Sequence, residues 1–261
     1  CQDGDEILHA NHGFEMYSIV SKVVGAVPKK IKEDVNFNLN IENLIDQTND
    51  ATKVIYIASP NNPTGTYLSR DQLVKLMNSI SKNIIVVIDG AYVEYVQKDD
   101  YDKGFSLTDE YENIILTRTF SKTYGLAALR VGWCYTSQKI ADIINKIKPP
   151  FNTTTISQFL AIKALEDKEH IENSVKLNVE IKDWFEKELK LLNIKTRQTE
   201  GNFTLIETSE EEAEKISNHL MNDGIIIRRL NSYNLPNFLR ISIGTKEEMN
   251  LTVESLKKFN V

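Results

Sequence analysis

The sequence predicts an α/β fold, a mostly parallel sheet with helices on both faces, followed by a smaller α+β unit. Three observations carry that expectation. Short aliphatic runs alternate with stretches of helical periodicity, and one such stretch joins two runs as a βαβ crossover. Beyond Lys148-Pro149-Pro150 the pattern changes to long helices and then short strands.

The strand candidates of the first part are Val54–Ala58, Ile84–Ile88, Ile114–Thr117 and Val131–Thr136. Gly4-Asp5-Glu6-Ile7-Leu8 reads as a turn entering a further strand, and Phe14–Val24 as a helix with Tyr17, Val20, Val23 and Val24 on one side. The crossover helix is Ser69–Ser81, where Leu73, Leu76, Met77 and Ile80 fall at helical spacing. Ser69 is placed to cap it, because a serine hydroxyl can accept from the free N–H groups of the first turn. Past the Pro-Pro breaker come helices over Thr154–Glu166 and Lys168–Leu192, then strands at Asn202–Glu207, Gly224–Arg228 and Phe238–Ile243. Helices over Glu210–Asn222 and Lys246–Phe259 alternate with them. The expected division is residues 1–165 for the large unit and 166–261 for a connecting helix and a small C-terminal domain.

With 261 residues, 41% of them hydrophobic, the chain can bury a substantial core. Its net charge of −6 argues against a nucleic-acid surface, which needs clustered Lys and Arg, but leaves room for a small anion held by a few arginines. Two cysteines and four scattered histidines without CxxC or HExxH spacing predict neither a disulfide framework nor a metal site. The longest aliphatic run, Ile84–Ile88, is too short to cross a bilayer, and the start does not read as a signal peptide; a cytoplasmic protein is expected. The chain begins at Cys1 and leads straight into a strand, as a sequence does inside a domain.

The chemistry-bearing residues follow the aliphatic runs, where an open parallel sheet presents its ligand crevice. Ser59-Pro60-Asn61-Asn62-Pro63-Thr64-Gly65 follows Val54–Ala58 and by itself is an ordinary turn. Asp89 ends the next run, with Tyr92 three residues on; alone, the pair could be a cap and a packed aromatic. Ser121-Lys122 follows Ile114–Thr117, and Arg130 stands eight residues after Lys122. A lysine in a loop is usually a solvated cation, but this one sits among aromatic and small apolar residues, a setting expected to desolvate it and favour the uncharged amine that attacks carbonyls.

Taken in order, Ser59–Gly65, Asp89–Tyr92, Arg118–Gly132 and the late Leu239–Thr245 resemble the histidinol-phosphate aminotransferase branch of the fold-type I, class I/II aminotransferases. These motifs span most of the chain. The resemblance implies pyridoxal 5′-phosphate (PLP) as cofactor, an amino donor and a keto-acid acceptor as substrates, and a homodimer. It implies that Lys122 binds PLP as a Schiff base and shuttles the proton, that Asp89 pairs with the pyridine nitrogen, and that Asn62 and Tyr92 hydrogen-bond the phenolic oxygen. Ser121 and Arg130 would grip the cofactor phosphate. Phe14 matches an aromatic that stacks on the ring, against the plainer reading of a core phenylalanine. Arg240 matches the arginine that takes the substrate carboxylate, Arg228 one that contacts a second anionic group, and Asn202 a position near the substrate; Arg229 is expected to be solvated.

Two departures stand out. Gly90 occupies a position that is often acidic in the family, a change expected to alter support of the loop. The family's N-terminal arm, its Gly-containing phosphate-binding helix start and its interface tyrosine have no match here, so the resemblance begins partway into the family's pattern. Besides histidinol-phosphate:2-oxoglutarate amino transfer, with aromatic amino acids as a second donor class, two alternatives remain. One is a PLP-dependent decarboxylase of a phosphorylated amino acid; the other is a non-catalytic fragment.

Overall fold

The computed structural model describes residues 1–259. Six strands build the first sheet: β1 (Glu6–Ala10), β2 (Val27–Ile31), β3 (Thr52–Ala58), β4 (Ile85–Asp89), β5 (Ile114–Thr119) and β6 (Gly132–Thr136). Their order is β2-β1-β3-β4-β5-β6, with every neighbouring pair parallel except β6, which runs antiparallel to β5. Between them lie α1 (Met16–Val23), α2 (Ile41–Asp46), α3 (Arg70–Ser79), α4 (Phe105–Glu110) and α5 (Gln138–Ile147).

The aliphatic runs become strands because the central ones are buried and offer side chains to the core. Leu8, Ile55, Ile57, Val86, Ile88, Ile114 and Leu116 join Ile41 and Leu44 of α2 and Leu73, Leu76 and Met77 of α3 in one cluster. Ser69 caps α3 as expected: its hydroxyl accepts from Gln72 N–H, and Gln72 Oε1 accepts from the Ser69 N–H in return. Truncating a core leucine such as Leu44 to alanine would cost about 2–5 kcal/mol.

α6 (Thr155–Glu166) still packs on the first part, Ala161 against Phe120 and Val131, and the second part begins with the long α7 (Lys168–Leu191). A four-stranded antiparallel sheet follows, made of β7 (Lys195–Arg197), β8 (Phe203–Glu207), β9 (Arg228–Leu230) and β10 (Leu235–Ser242) in the order β7-β8-β10-β9. It is covered by α7, α8 (Glu210–Asn222) and α9 (Lys246–Phe259), whose Phe185, Leu189, Ile216, Leu220, Val253 and Leu256 meet Ile206, Leu239 and Ile241.

One expected strand is displaced. Gly224–Arg228 is not a strand: Gly224 takes φ +79° and closes α8, with its N–H donating to Met221 O and that of Ile225 to Leu220 O. Ile225 and Ile227 then pack on the core before pairing starts at Arg228. Among the described residues, no helix is long and apolar enough to cross a membrane, and no cluster of His, Cys, Asp and Glu could hold a metal ion.

The two parts meet at the turn after β3. Gly65 has φ +75°, donates its N–H to Asn61 O at 2.8 Å and accepts from Glu200 N–H at 2.8 Å. A side chain there would run into Thr199. The bare backbone is what lets that turn dock against the chain entering β8.

Candidate active site

The C-terminal ends of β3, β4 and β5 lie side by side, so the segments that leave them converge. The turn after β3 is internally bonded: Asn61 N–H donates to Thr66 O at 2.7 Å, Asn61 Nδ2 to Thr64 Oγ1 at 2.8 Å, and Tyr101 O–H to Ser59 O at 2.7 Å. Ser59, Asn61 and Thr64 are buried, and this leaves Asn62 projecting toward the second sheet, where its Oδ1 accepts from Arg240 Nη1.

Asp89 is the last residue of β4. Its carboxylate caps nothing; Oδ2 accepts the Tyr17 phenol at 2.7 Å. Tyr17, at the start of α1, stacks on Tyr56 of β3 with ring centres 4.6 Å apart and planes 5° off parallel. Burial, and then the adjacent Asp89, pushes its phenol well above the ordinary tyrosine value, so it stays a proton donor. The buried Tyr92 packs edge-on against Phe203 of β8, ring centres 5.5 Å apart.

Lys122, in the loop after β5, places its Nζ 5.2 Å from the centre of the Tyr92 ring. On the far side, the Arg240 guanidinium lies 5.0 Å from the Phe203 ring centre. An amine and a guanidinium are thus linked through one pair of aromatics and tied back to Asn62. The expected desolvation of the lysine is only partial: Lys122 is half-buried, and Gly125, Ala127 and Ala128 just beyond it are exposed, because this loop turns outward before β6.

The remaining candidates form the rim. Phe14 is 37% exposed, not part of the core, and meets Tyr17 edge-on at 5.8 Å. Ser121 donates its backbone N–H to Thr119 Oγ1 at 3.1 Å, and Arg130, exposed and at φ +51°, donates to Ala127 O at 2.8 Å. Arg228 and Arg240 are register partners on β9 and β10, so they project from the same face. Arg228 is 52% exposed and its only ion-pair partner among the described residues is Glu15, at 3.9 Å. Arg229 is the one that turns inward: it pairs with Glu214 at 3.8 Å and its Nε is buried, so the expectation that it is solvated is corrected by alternation along β9. Asn202 is half-buried beside Phe203, its carbonyl accepting from Ile243 N–H at 2.9 Å.

Gly90 is explained by Arg118. Any side chain at 90 would run into the Arg118 guanidinium, which donates to Thr117 O at 2.8 Å and to Lys103 O and lies over the Phe105 and Trp133 rings. The arginine supports the loop from the volume that a side chain would take. Tyr17, Glu15 and Arg118 carried no site role in the sequence, although Arg118 opens the Arg118–Gly132 motif; for Tyr17 the signal was its position three residues after Phe14.

A family model for aminotransferase class I and II matches residues 1–256. The chain is 41% identical over 260 residues to the histidinol-phosphate aminotransferase of Pelagibacter ubique, covering 98% of this chain and 72% of that one. Against the protein of the same name from Rhodopseudomonas palustris it is 36% identical, covering 98% and 71%. Among solved structures, histidinol-phosphate aminotransferase from Sinorhizobium meliloti in complex with PLP superposes with a TM-score of 0.91 at 24% identity, over 99% of this chain and 72% of that one. At that identity the likeness speaks for the fold alone. Sheet, motifs and relatives agree: the chain belongs to the class I and II aminotransferases, which are PLP-dependent enzymes.

Proposed function

We propose that this chain moves an amino group between glutamate and a phosphorylated imidazole substrate, histidinol phosphate, and that it does so on PLP held at the ends of β3, β4 and β5. The observation that carries the reading is the line Lys122, Tyr92, Phe203, Arg240, Asn62, which joins an amine to an anion-binding guanidinium across the two sheets. The donor set suits the cofactor. Arg240 Nε is buried without a partner, and among the described residues no carboxylate lies within ion-pair distance of its guanidinium, so its counter-charge is left for a ligand to bring. Asp89 is likewise engaged through Oδ2 alone among the described residues.

When bound, PLP supplies an aldehyde for the substrate amine and a ring that accepts the electron pair of the broken C–H bond. The chain does the rest. Lys122 would hold the cofactor through its amine and, once the substrate amine has displaced it, the freed amine would take the substrate α-proton and return it one position over. Asp89 would hold a protonated ring nitrogen, Asn62 and Tyr92 would donate to the phenolic oxygen, Phe14 would cover the ring face, and Ser121 and Arg130 would bind the phosphate. Arg240 orients the α-carboxylate of glutamate. Arg228 and Arg240, register partners on β9 and β10, would receive the phosphate of the second substrate, with Asn202 near it.

The curated relatives' shared name supports the choice of substrate. Exposed Ile156, Phe159 and Ile162 on α6 support a homodimer, for which light scattering is the check. The cytoplasm is the matching compartment for such a biosynthetic enzyme. Titrating the PLP-loaded protein with glutamate, histidinol phosphate and aromatic amino acids tests the reading. Conversion of the visible band by glutamate and histidinol phosphate supports it, carbon dioxide release without keto acid selects a decarboxylase, and a chain with no cofactor band after reconstitution overturns it.

A further inference from the structure

Tyr17 lies outside every motif used above, yet it makes the only side-chain hydrogen bond to Asp89 among the described residues. We infer that Tyr17 is the positioning residue for Asp89: its phenol occupies Oδ2 and fixes the carboxylate plane, leaving Oδ1 as the oxygen available to a protonated ring nitrogen. The inference rests on the reading of Asp89 as the partner of that nitrogen.

The geometry supports a dedicated role. A carboxylate rotates almost freely about its last bond, so one short bond at 2.7 Å decides where the second oxygen points. The donor is rigid in turn. Its ring lies flat on Tyr56 at 4.6 Å, meets Phe14 edge-on at 5.8 Å, and is 5% exposed. Its backbone N–H is tied to Phe14 O at 3.0 Å, in the first turn of α1. The two residues come from different crossovers, so the bond also couples the β1–α1 connection, which carries Phe14, to the end of β4. Burial keeps the phenol protonated, so the donor persists over the working pH range. A phenol that merely packed would need no oxygen here, since the stacking is complete without it.

Tyr17→Phe keeps the ring and removes the donor. Both Tyr17→Phe and Asp89→Asn are to be reconstituted with PLP labelled with nitrogen-15 in its ring. The ring-nitrogen chemical shift, the PLP Kd, and kcat and KM for glutamate are then measured, with circular dichroism as the fold check. For Tyr17→Phe the shift is expected to lie between wild type and Asp89→Asn, and kcat to fall about 10- to 100-fold at nearly unchanged KM, the scale of one hydrogen bond to a charged acceptor. If Tyr17→Phe matches wild type in shift and kcat while Asp89→Asn loses both, Tyr17 only packs and the inference fails alone. If Asp89→Asn itself keeps the wild-type shift and Kd, the reading of Asp89 falls and takes this one with it.

Discussion

The two sides of the proposed cofactor site are built on opposite principles. On the side formed by β3 and β4, Ser59, Asn61, Thr64, Tyr92 and Tyr17 are buried, and the turn and Asp89 are bonded to neighbours before any ligand arrives. On the side that follows β5, Lys122 is half-buried and Arg130 exposed, the latter with a single bond back to its own turn. The first side is pre-organised and doubles as structure; the second carries reactive groups whose order must come from the ligand. Substitutions on the buried side should therefore damage the fold along with function, and those on the open side function alone.

The largest effect should come from the open side. Lys122→Ala is expected to abolish the borohydride-reducible cofactor absorbance and to lower turnover by on the order of 1000-fold or more, with an unchanged melting curve. A mutant that keeps the reducible band would remove the lysine from its role. Tyr92→Ala cuts a 4% exposed ring out of the junction and should cost about 3–5 kcal/mol in urea unfolding, whereas Tyr92→Phe should melt like wild type and shift only the cofactor spectrum.

Arg240→Ala is expected to lower kcat/KM for glutamate by about 100-fold, since a charged, bidentate partner of the carboxylate is lost, and Arg240→Lys should recover little of it. A lysine variant as good as wild type would mean that a point charge suffices there. Arg130→Ala should raise the PLP Kd by about tenfold while leaving the apo protein's melting temperature untouched. A fall in apo stability would place Arg130 among the structural residues and blur the contrast.

The smallest effect concerns pH. His9 is buried at the end of β1, its ring bonded to Ala10 O at 2.8 Å and Ser18 Oγ at 2.9 Å, and burial holds it below the ordinary histidine range. The fold therefore prefers the neutral ring, and its contribution to stability is present above about pH 6.5 and lost as pH falls through the depressed value. Melting temperatures measured from pH 7 down to pH 5 should fall more steeply for wild type than for His9→Gln; parallel curves would exclude His9 as the source.

What was legible in the sequence follows the same division. β3, β4 and β5 announce themselves because central parallel strands must be aliphatic, and α3 because Ser69 and Gln72 carry its cap. The edge strand β2, Val-Pro-Lys-Lys-Ile, escaped notice since an edge needs only Ile31 buried and tolerates a proline and two lysines. α5 has no fully buried residue, and its Ile140, Ala141 and Ile144 are only half-buried. Asn62, Asp89, Lys122 and Arg240 were singled out by the order of their motifs. Tyr17 was not, because a tyrosine on the inner face of a helix looks like packing until its oxygen is seen beside a carboxylate.

Gly90 and Arg118 share one volume, so each position constrains the other. With the guanidinium in place, a side chain at 90 could enter only if the arginine tip and Val93 beside it moved aside. A shortened position 118 would in turn leave a hole and strip Thr117 O and Lys103 O of their donor.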